Sequence, residues 1–367
     1  SGTCALLVPT KLWRSLAGAG VRDLLRTEAT IRELDDWSEA TATFDAAVYP
    51  SVLVASRGRS TTDATIHMGE RRRDTDIVWR TPASTLPFDE SAGAPWLWLP
   101  PAVRDGFQRI RDAGLPLGLH EGLRPRLGVK CGCNEAFIAT VAPRGQLRAR
   151  DGHTAAVEPH LVRALLRGDA VTAWRIEPVA ERIIVPHDDA LVPLATLPPR
   201  TKQWLSRWRS ALTARTDYRG VGPWWALHRT DAADARTPRV VWADMARAPR
   251  AAVLAAGDRT VPLNTCYVVP TTTLSEAFAL AAWLNSPLAA AWLSALAEPA
   301  RGGYRRLLGW TMALLPLPRD WARALPVLAP LGRRGAAGDP PTPNELLAAS
   351  LAALALRHED VEPLLAW

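Results

Sequence analysis

The feature that most limits how this chain folds is the brevity of its apolar runs. From residue 118 to about 320, short strand-like runs (Phe137–Val141, Arg182–Val185, Val240–Ala243, Cys266–Val269) alternate with helical stretches. The clearest of these helices are Pro159–Leu166, Lys202–Thr213 and Leu274–Leu284. Runs this short, closed by turn residues, predict small sheets interleaved with short helices. The first 60 residues follow another pattern. Cys4–Val8 is continuously apolar, as in a strand buried on both faces of a sheet. Trp13–Arg26 then reads as a helix with Leu16, Val21, Leu24 and Leu25 on one side and Arg22 and Arg26 turned out. Ile31–Trp37 and Val48–Ala55 follow as strands, so this part reads as the tail of an α/β sheet ending in antiparallel edge strands.

Between these regions, Ser56–Asp76 is polar, with Arg71-Arg72-Arg73 at its centre, and suits a solvated strand pair or loop. Pro82–Pro101 is turn-rich, and Pro101–Ala113 has helical spacing through Val103, Phe107 and Ile110. Gly332–Pro343 reads as a linker and Asn344–Leu356 as a terminal Ala/Leu helix. The expected class is α/β plus α+β, with units at 1–60, 61–117 (a bridge), 118–331, and 332–367 (linker and C-terminal helix). There is no internal repeat.

A chain of 367 residues with 48% apolar content has room for two or three domains and a large core. Its net charge of +7 suits a polyanion, because cations that neutralise phosphates release condensed counterions. Only Lys11, Lys130 and Lys202 stand against 41 arginines, so biased coding explains the charge about as well. The four cysteines form neither a disulfide framework nor zinc spacing, which fits a reducing cytoplasm. No window approaches the ~18 apolar residues of a membrane helix and no signal peptide is evident. Ser1-Gly2 resembles a tag remnant or processing scar, and the abrupt apolar start reads as part of a longer or split protein.

Other chemistries find no support. The seven histidines lack metal-ligand spacing, and His187-Asp188-Asp189 reads as a polar turn. There is no nucleophile elbow or phosphate-binding Gly-Lys-Ser/Thr loop. A nuclease centre would need a carboxylate pair beside one of the three lysines.

What remains is an ordered series. Leu127-Gly128-Val129-Lys130-Cys131-Gly132-Cys133-Asn134-Glu135-Ala136-Phe137-Ile138 is followed by Trp224-Trp225-Ala226-Leu227-His228-Arg229, then Leu284-Asn285-Ser286-Pro287, then Leu314-Leu315-Pro316-Leu317-Pro318. In the first segment, Gly128 and Gly132 let the backbone bend or approach a phosphate, Lys130 supplies charge, and Asn134 bonds backbone or base edge. Between Lys202 and Arg229, basic residues interleave with Trp204, Trp208 and Tyr218. This suits a backbone-gripping surface, or alternatively a Trp204–Trp208–Leu212 core stripe with solvated arginines. The expected division is Trp204 and Trp208 in the core, Arg207, Arg215 and Arg229 near DNA. Arg301-Gly302-Gly303-Tyr304-Arg305-Arg306 is either a phosphate-approaching loop or a solvated one.

The order of these segments resembles the target-recognition region of gamma-type N6-adenine DNA methyltransferases, found in type IIG and phage-defence restriction-modification systems. The resemblance runs from Leu6 to Pro318, and is specific as a series although weak motif by motif. It implies that residues 1–60 are the last strands of the catalytic fold and 118–331 a complete recognition domain. It further implies DNA-binding roles for Lys130, Asn134, Arg207, Arg215, Arg229, Arg301, Tyr304 and Arg305, and stacking of Phe44 on a flipped adenine, with a core phenylalanine as the alternative. Leu165–Val171 resembles the family's Arg-Gly-Asp-Ile turn, which a pairing of Arg167 with Asp169 would hold. The family's acidic Gly-rich segment for S-adenosylmethionine and its Asn-Pro-Pro-Tyr tetrapeptide are missing; Gly338-Asp339-Pro340-Pro341-Thr342 lies at the wrong end and lacks the aromatic. The resemblance therefore implies that this chain alone binds no cofactor and is inactive, S-adenosylmethionine belonging to the complete enzyme. The implied partners are double-stranded DNA and an N-terminal catalytic half, missing or separate. The alternative is a stand-alone specificity subunit working with a separate catalytic polypeptide.

Overall fold

The computed structural model describes residues 2–38, 49–58, 63–71 and 75–367, the side chain of Arg301 excepted. Near the N-terminus, strand β1 (Thr3–Pro9), the short helix α1 (Lys11–Arg14), helix α2 (Ala19–Glu28) and strands β2 (Ala29–Asp36), β3 (Pro50–Arg57), β4 (Thr65–Arg71) and β5 (Asp76–Pro82) follow in order. They build one five-stranded sheet in the order β1-β3-β2-β4-β5. β3 pairs antiparallel with both β1 and β2, so β1 and β2 run parallel with β3 inserted between them. The polar stretch after residue 60 supplies two more strands of this sheet, β4 parallel to β2 and β5 antiparallel to β4. Trp13 stacks on Trp96 with ring centres 5.3 Å apart, and its indole donates to Ser51 Oγ, closing the core of this unit.

Two expectations change here. β1 is exposed along almost its whole length, because it lies at the sheet edge with little packed on either face. The α2 reading holds only in part: Leu25 packs on the core and Arg26 is exposed as expected, but Arg22 is buried, while Val21, Leu24 and, in the turn before the helix, Leu16 face solvent. The cause is hydrogen bonding. The Arg22 guanidinium donates to the carbonyls of Leu12, Ser15, Gly93 and Ala94, and those charge-assisted bonds hold it inside.

Helix α3 (Pro101–Ala113) starts with proline at its first turn, where no backbone N–H is needed, and leads into β6 (Gly114–Pro116). Next come β7 (Arg126–Leu127), the one-turn α4 (Asn134–Phe137), β8 (Ile138–Val141), β9 (Leu147–Arg148), β10 (Thr154–Ala155), β11 (Val162–Leu166) and β12 (Glu181–Ile184). Helices α5 (Pro199–Ser206) and α6 (Arg209–Thr213) follow, so the expected Lys202–Thr213 helix is broken near Trp208. Pro159–Leu166 is not a helix: a single 3-10 turn runs into β11, whose backbone is taken up by β12 on one side and a later strand on the other.

The later strands are β13 (Arg239–Ala243), β14 (Met245–Ala246), β15 (Ala251–Leu254), β16 (Val261–Pro262) and β17 (Cys266–Pro270). One sheet has the order β10-β9-β8-β12-β11-β16 and another β15-β13-β17-β7. β13 is buried at every residue, as befits a strand flanked by β15 and β17.

Helix α7 (Leu274–Leu284) packs on β13 and β15, and α8 (Pro287–Leu296) is buried among α7, α3 and the later helices. The Leu284-Asn285-Ser286-Pro287 motif explains their junction. Asn285 exchanges two hydrogen bonds with the backbone of Ala251, and Ser286 caps α8 by accepting from the N–H of Ala289. Strands β18 (Glu298–Ala300) and β19 (Tyr304–Arg306), helix α9 (Gly309–Ala313), strand β20 (Pro316–Pro318), and helices α10 (Trp321–Ala336), α11 (Pro343–Leu354) and α12 (Glu362–Leu365) complete the chain. β20 pairs with β6, which explains the Leu-Pro-Leu-Pro motif as a short structural strand. α10 runs through the start of the expected linker; a Cβ on its Gly332 would lie 2.0 Å from the Phe278 carbonyl oxygen, so glycine sets the close approach of α10 to α7. Among the described residues no single helix is long and apolar enough to cross a membrane, and α7 and α8, bent by 63°, are core helices.

Candidate nucleic-acid interface

The two longest motifs of the ordered series meet around one side chain. Arg215, 7% exposed, donates through Nε to Leu212 O, through Nη1 to Cys131 O and Ala226 O, and through Nη2 to Trp224 O at 2.8 Å. Burial pushes its pKa down, yet the carbonyls around it favour the charged form. Arg215 was expected near DNA; it is instead an internal staple between Leu127–Ile138 and Trp224–Arg229. The glycines serve the same packing. A Cβ on Gly128 would lie 1.9 Å from Leu263 O, and Gly132, at φ +70°, lets the chain pass the Arg215 side chain. The close approach they permit is to the protein's own atoms.

The staple leaves other side chains outside. Lys130 and His228 exchange backbone hydrogen bonds of 3.0 and 3.2 Å, which holds Lys130 next to Arg229. Lys130 is half-exposed and pairs with Asp217 at 3.0 Å, and that contact lowers the Asp217 carboxyl pKa. Arg229 is exposed, has no ion pair among the described residues, and stands at φ +56°, a left-handed conformation unusual for a residue with a side chain.

Asn134 opens α4 and is exposed at the rim of a 410 Å³ cavity that Thr140, Arg148, Arg150 and Arg167 also line. Thr140 and Arg148 are register partners across β8 and β9. Arg148 and Arg150 are exposed and without ion pairs among the described residues, whereas Arg167 makes a bidentate pair with Glu181 at 2.7 and 3.0 Å. The expected Arg167–Asp169 pair does not form, since Glu181 on β12 reaches the guanidinium from the neighbouring strand. Arg207 pairs with Asp151 at 3.0 Å and lies over the Trp208 ring. Trp204 and Leu212 are core residues, and Trp208 packs half-buried beside them.

Sequence reasoning missed Arg148 and Arg150. Their signal was present in Leu147-Arg148-Ala149-Arg150, which is buried, exposed, buried, exposed. A period of two starting in β9 and carried past its end into the turn leaves both arginines outward.

A third group forms at β18, β19 and β14. Gly302 and Gly303, at φ +74° and +75°, make the turn that presents Tyr304. The Tyr304 ring carries the Arg247 guanidinium 5.5 Å from its centre. Arg305 is half-buried opposite Pro299 and Ala246, and Arg306 is exposed. α1 packs against β18, and buried Arg14 donates to Ala297 O. Desolvation, reinforced by nearby Arg305, lowers the Arg14 pKa to about 10. This basic hairpin therefore abuts the N-terminal unit just beyond the carboxyl end of β1. Phe44 lies outside the described residues, and only the backbone of Arg301 is described.

The segment nearest in composition to the missing tetrapeptide, Gly338–Thr342, is a helix start: Thr342 caps α11 in a reciprocal box with Glu345. Among the described residues no cluster of His, Cys, Asp or Glu could hold a metal ion.

The sheets and helices that carry these groups are arranged as in part of one solved restriction-modification enzyme. The type IIL restriction-modification enzyme MmeI, solved in complex with DNA, matches 97% of this chain with a TM-score of 0.60 and 10% identity. At that identity the likeness is one of fold. The type IIG restriction endonuclease BpuSI matches 99% of the chain at 12% identity with a TM-score of 0.42. This chain spans about half the length of each, 47% in both cases. No family model and no curated relative matches the sequence.

Proposed function

We propose that this chain is the DNA-recognition part of an adenine-N6 DNA methyltransferase of a restriction-modification system, acting in the cytoplasm. In this reading residues 118–331 are the recognition domain, and the methyl donor and Asn-Pro-Pro-Tyr motif belong to a catalytic part outside this chain. The observation that carries it is the junction at Arg215. Two segments about ninety residues apart in sequence, both singled out by the resemblance, are bonded into one surface that presents Lys130, Asn134 and Arg229.

The rest of the surface supports a polyanionic partner. Arg148, Arg150 and Arg229 are exposed cations without carboxylate partners among the described residues, suited to phosphate contacts that fix register on a duplex. Strand β18 of the Tyr304–Arg306 hairpin packs on α1, which follows the carboxyl end of β1, the side on which α/β sheets hold their ligands. A duplex spanning both would lie with one side on the recognition domain and a target base toward the catalytic part. MmeI, a fold neighbour, was solved with DNA bound.

The test is fluorescence anisotropy of the purified chain with a mixed-sequence duplex, titrated across salt, with and without S-adenosylmethionine. Binding that weakens steeply with salt and ignores the methyl donor is expected. No binding at low salt would overturn autonomous recognition, and a methyl-donor effect would overturn the assignment of the cofactor site elsewhere.

A further inference from the structure

Among the described residues five arginines are more than nine-tenths buried, and Arg14, Arg22, Arg215 and Arg239 each donate to backbone carbonyls there. Arg163, on β11, is the exception. It is 6% exposed, yet its side chain makes no hydrogen bond among the described residues, and its Nε is buried without a partner. Its ion pair with Asp189 is loose, Nη2 standing 3.8 Å from Oδ1, beyond hydrogen-bond length, and the Asp189 side chain is 90% exposed. A guanidinium taken out of water needs acceptors in exchange, so one left without them marks a place where acceptors come from elsewhere.

Arg163 lines a 250 Å³ cavity together with His160 and the turn Asp258–Thr260, which carries Arg259. That turn is fixed from within. Buried Arg239 donates to the carbonyls of Asp258 and Thr260, and Asp258 Oδ1 accepts from the N–H of Thr260. Arg259 is thereby held beside Arg163, and the Asp189 oxygen that Arg163 barely reaches bonds Arg259 at 3.1 Å. Burial, and after it the nearness of Arg259, lowers the Arg163 pKa. Two guanidinium groups therefore share one oxygen of an exposed carboxylate, while the Asp258 carboxylate is engaged by its own turn.

We propose that Arg163 and Arg259, with His160 beside them, form a binding site for one phosphate group, and that Asp189 is the internal carboxylate which the phosphate displaces. Two guanidinium forks offer more N–H donors than one carboxylate oxygen can take, and a phosphate has the oxygens to meet them. The rest of the cavity wall is Pro159, Val162 and Ala164, with no Trp, Tyr or Phe on which a base could stack, so the site holds the phosphate and leaves what it is attached to outside. That favours a phosphate of a polynucleotide backbone over a nucleotide. The backbone source rests on the proposed function; the phosphate site itself does not, and inorganic phosphate shares its chemistry.

The experiment titrates the purified chain with inorganic phosphate by calorimetry at constant ionic strength, and with a mixed-sequence duplex by anisotropy across salt. Asp189→Ala and Arg259→Ala change exposed side chains and keep the fold testable where buried Arg163→Gln does not. Glu90→Ala, an exposed carboxylate of the N-terminal unit, controls for net charge. The expected results are binding several-fold tighter for Asp189→Ala than for Glu90→Ala, and about tenfold weaker for Arg259→Ala, as for loss of a charge-assisted hydrogen bond. A response of the duplex, with the salt slope lower by about one in Arg259→Ala, identifies a backbone phosphate. A response of inorganic phosphate alone assigns the site to free phosphate, and if the native chain then binds no duplex the DNA reading falls while the site stands. If neither ligand distinguishes Asp189→Ala from Glu90→Ala, the proposal is overturned, whatever the chain does with DNA elsewhere.

Discussion

The N-terminal sheet and the central region around Arg215 sort the same residue types in opposite ways. In the first, Leu6, Leu7, Val21 and Leu24 are exposed while Arg14 and Arg22 are buried. In the second, most aliphatic side chains are inside, Val141, Val192 and Val221 being exposed one at a time, and Arg148, Arg150 and Arg229 are out, with Arg215 buried. Both regions use a buried arginine as an internal tie. What differs is the surface that remains: apolar on one, cationic on the other. Water tolerates a cationic surface better than an apolar one, and only the cationic surface attracts a polyanion.

The sharpest way to break this comparison is to remove a tie. Arg215→Met strands four backbone acceptors and one cavity, and should cost about 3–5 kcal/mol, judged from the loss of several charge-assisted hydrogen bonds. Urea denaturation measures it; a loss under about 1 kcal/mol would mean that the two motifs are joined by something else.

Acid should come next. His187 is 3% exposed and sits against the Trp224–Arg229 segment, its pKa lowered to about 4 by burial and then by Arg163. Because the folded value lies below the unfolded one, stability is full above about pH 6.5 and falls as the unfolded chain takes up the proton. The loss is complete near pH 4 and amounts to about 3 kcal/mol from this group. Melting curves at pH 7 and 4.5 should separate less for His187→Gln than for the native chain, the remainder coming from groups such as His120 and His228, whose pKa values burial also lowers. An unchanged separation in the variant would assign the acid sensitivity to other groups.

The smallest expected effect sharpens the cationic side alone. Arg148→Ala with Arg150→Ala should leave stability within about 0.5 kcal/mol, as for exposed sites, and lower the slope of log affinity against log salt by about two. If that slope holds while affinity falls, these arginines do not contact phosphates. A change in neither would move the interface to the Tyr304 hairpin.

Local signals were legible where a stretch of chain decides its own structure. Leu274–Leu284 was read correctly because its apolar residues, the Thr273 cap and the Asn285 stop all lie within a few turns. Trp204 and Leu212 were read as core from helical spacing. Pro159–Leu166 was misread because its spacing also suits a helix, and only the partners β12 and β16 make it a strand. Of the expected DNA contacts, Lys130, Asn134, Arg207, Arg229 and Tyr304 lie at least partly on the surface, Arg305 is half-buried, and Arg215 is inside.

The sequence by itself determined the caps, the brevity of the strands, and the apolar character of β1 and α2, because these depend on neighbours along the chain. Only the tertiary structure decided which arginines are ties and which are free, since one guanidinium differs from another only in the carbonyls or water it meets. It likewise decided that β1 is an edge. Burial belongs to whatever lies alongside a strand, and Cys4–Val8 specifies a covering that the described residues do not supply.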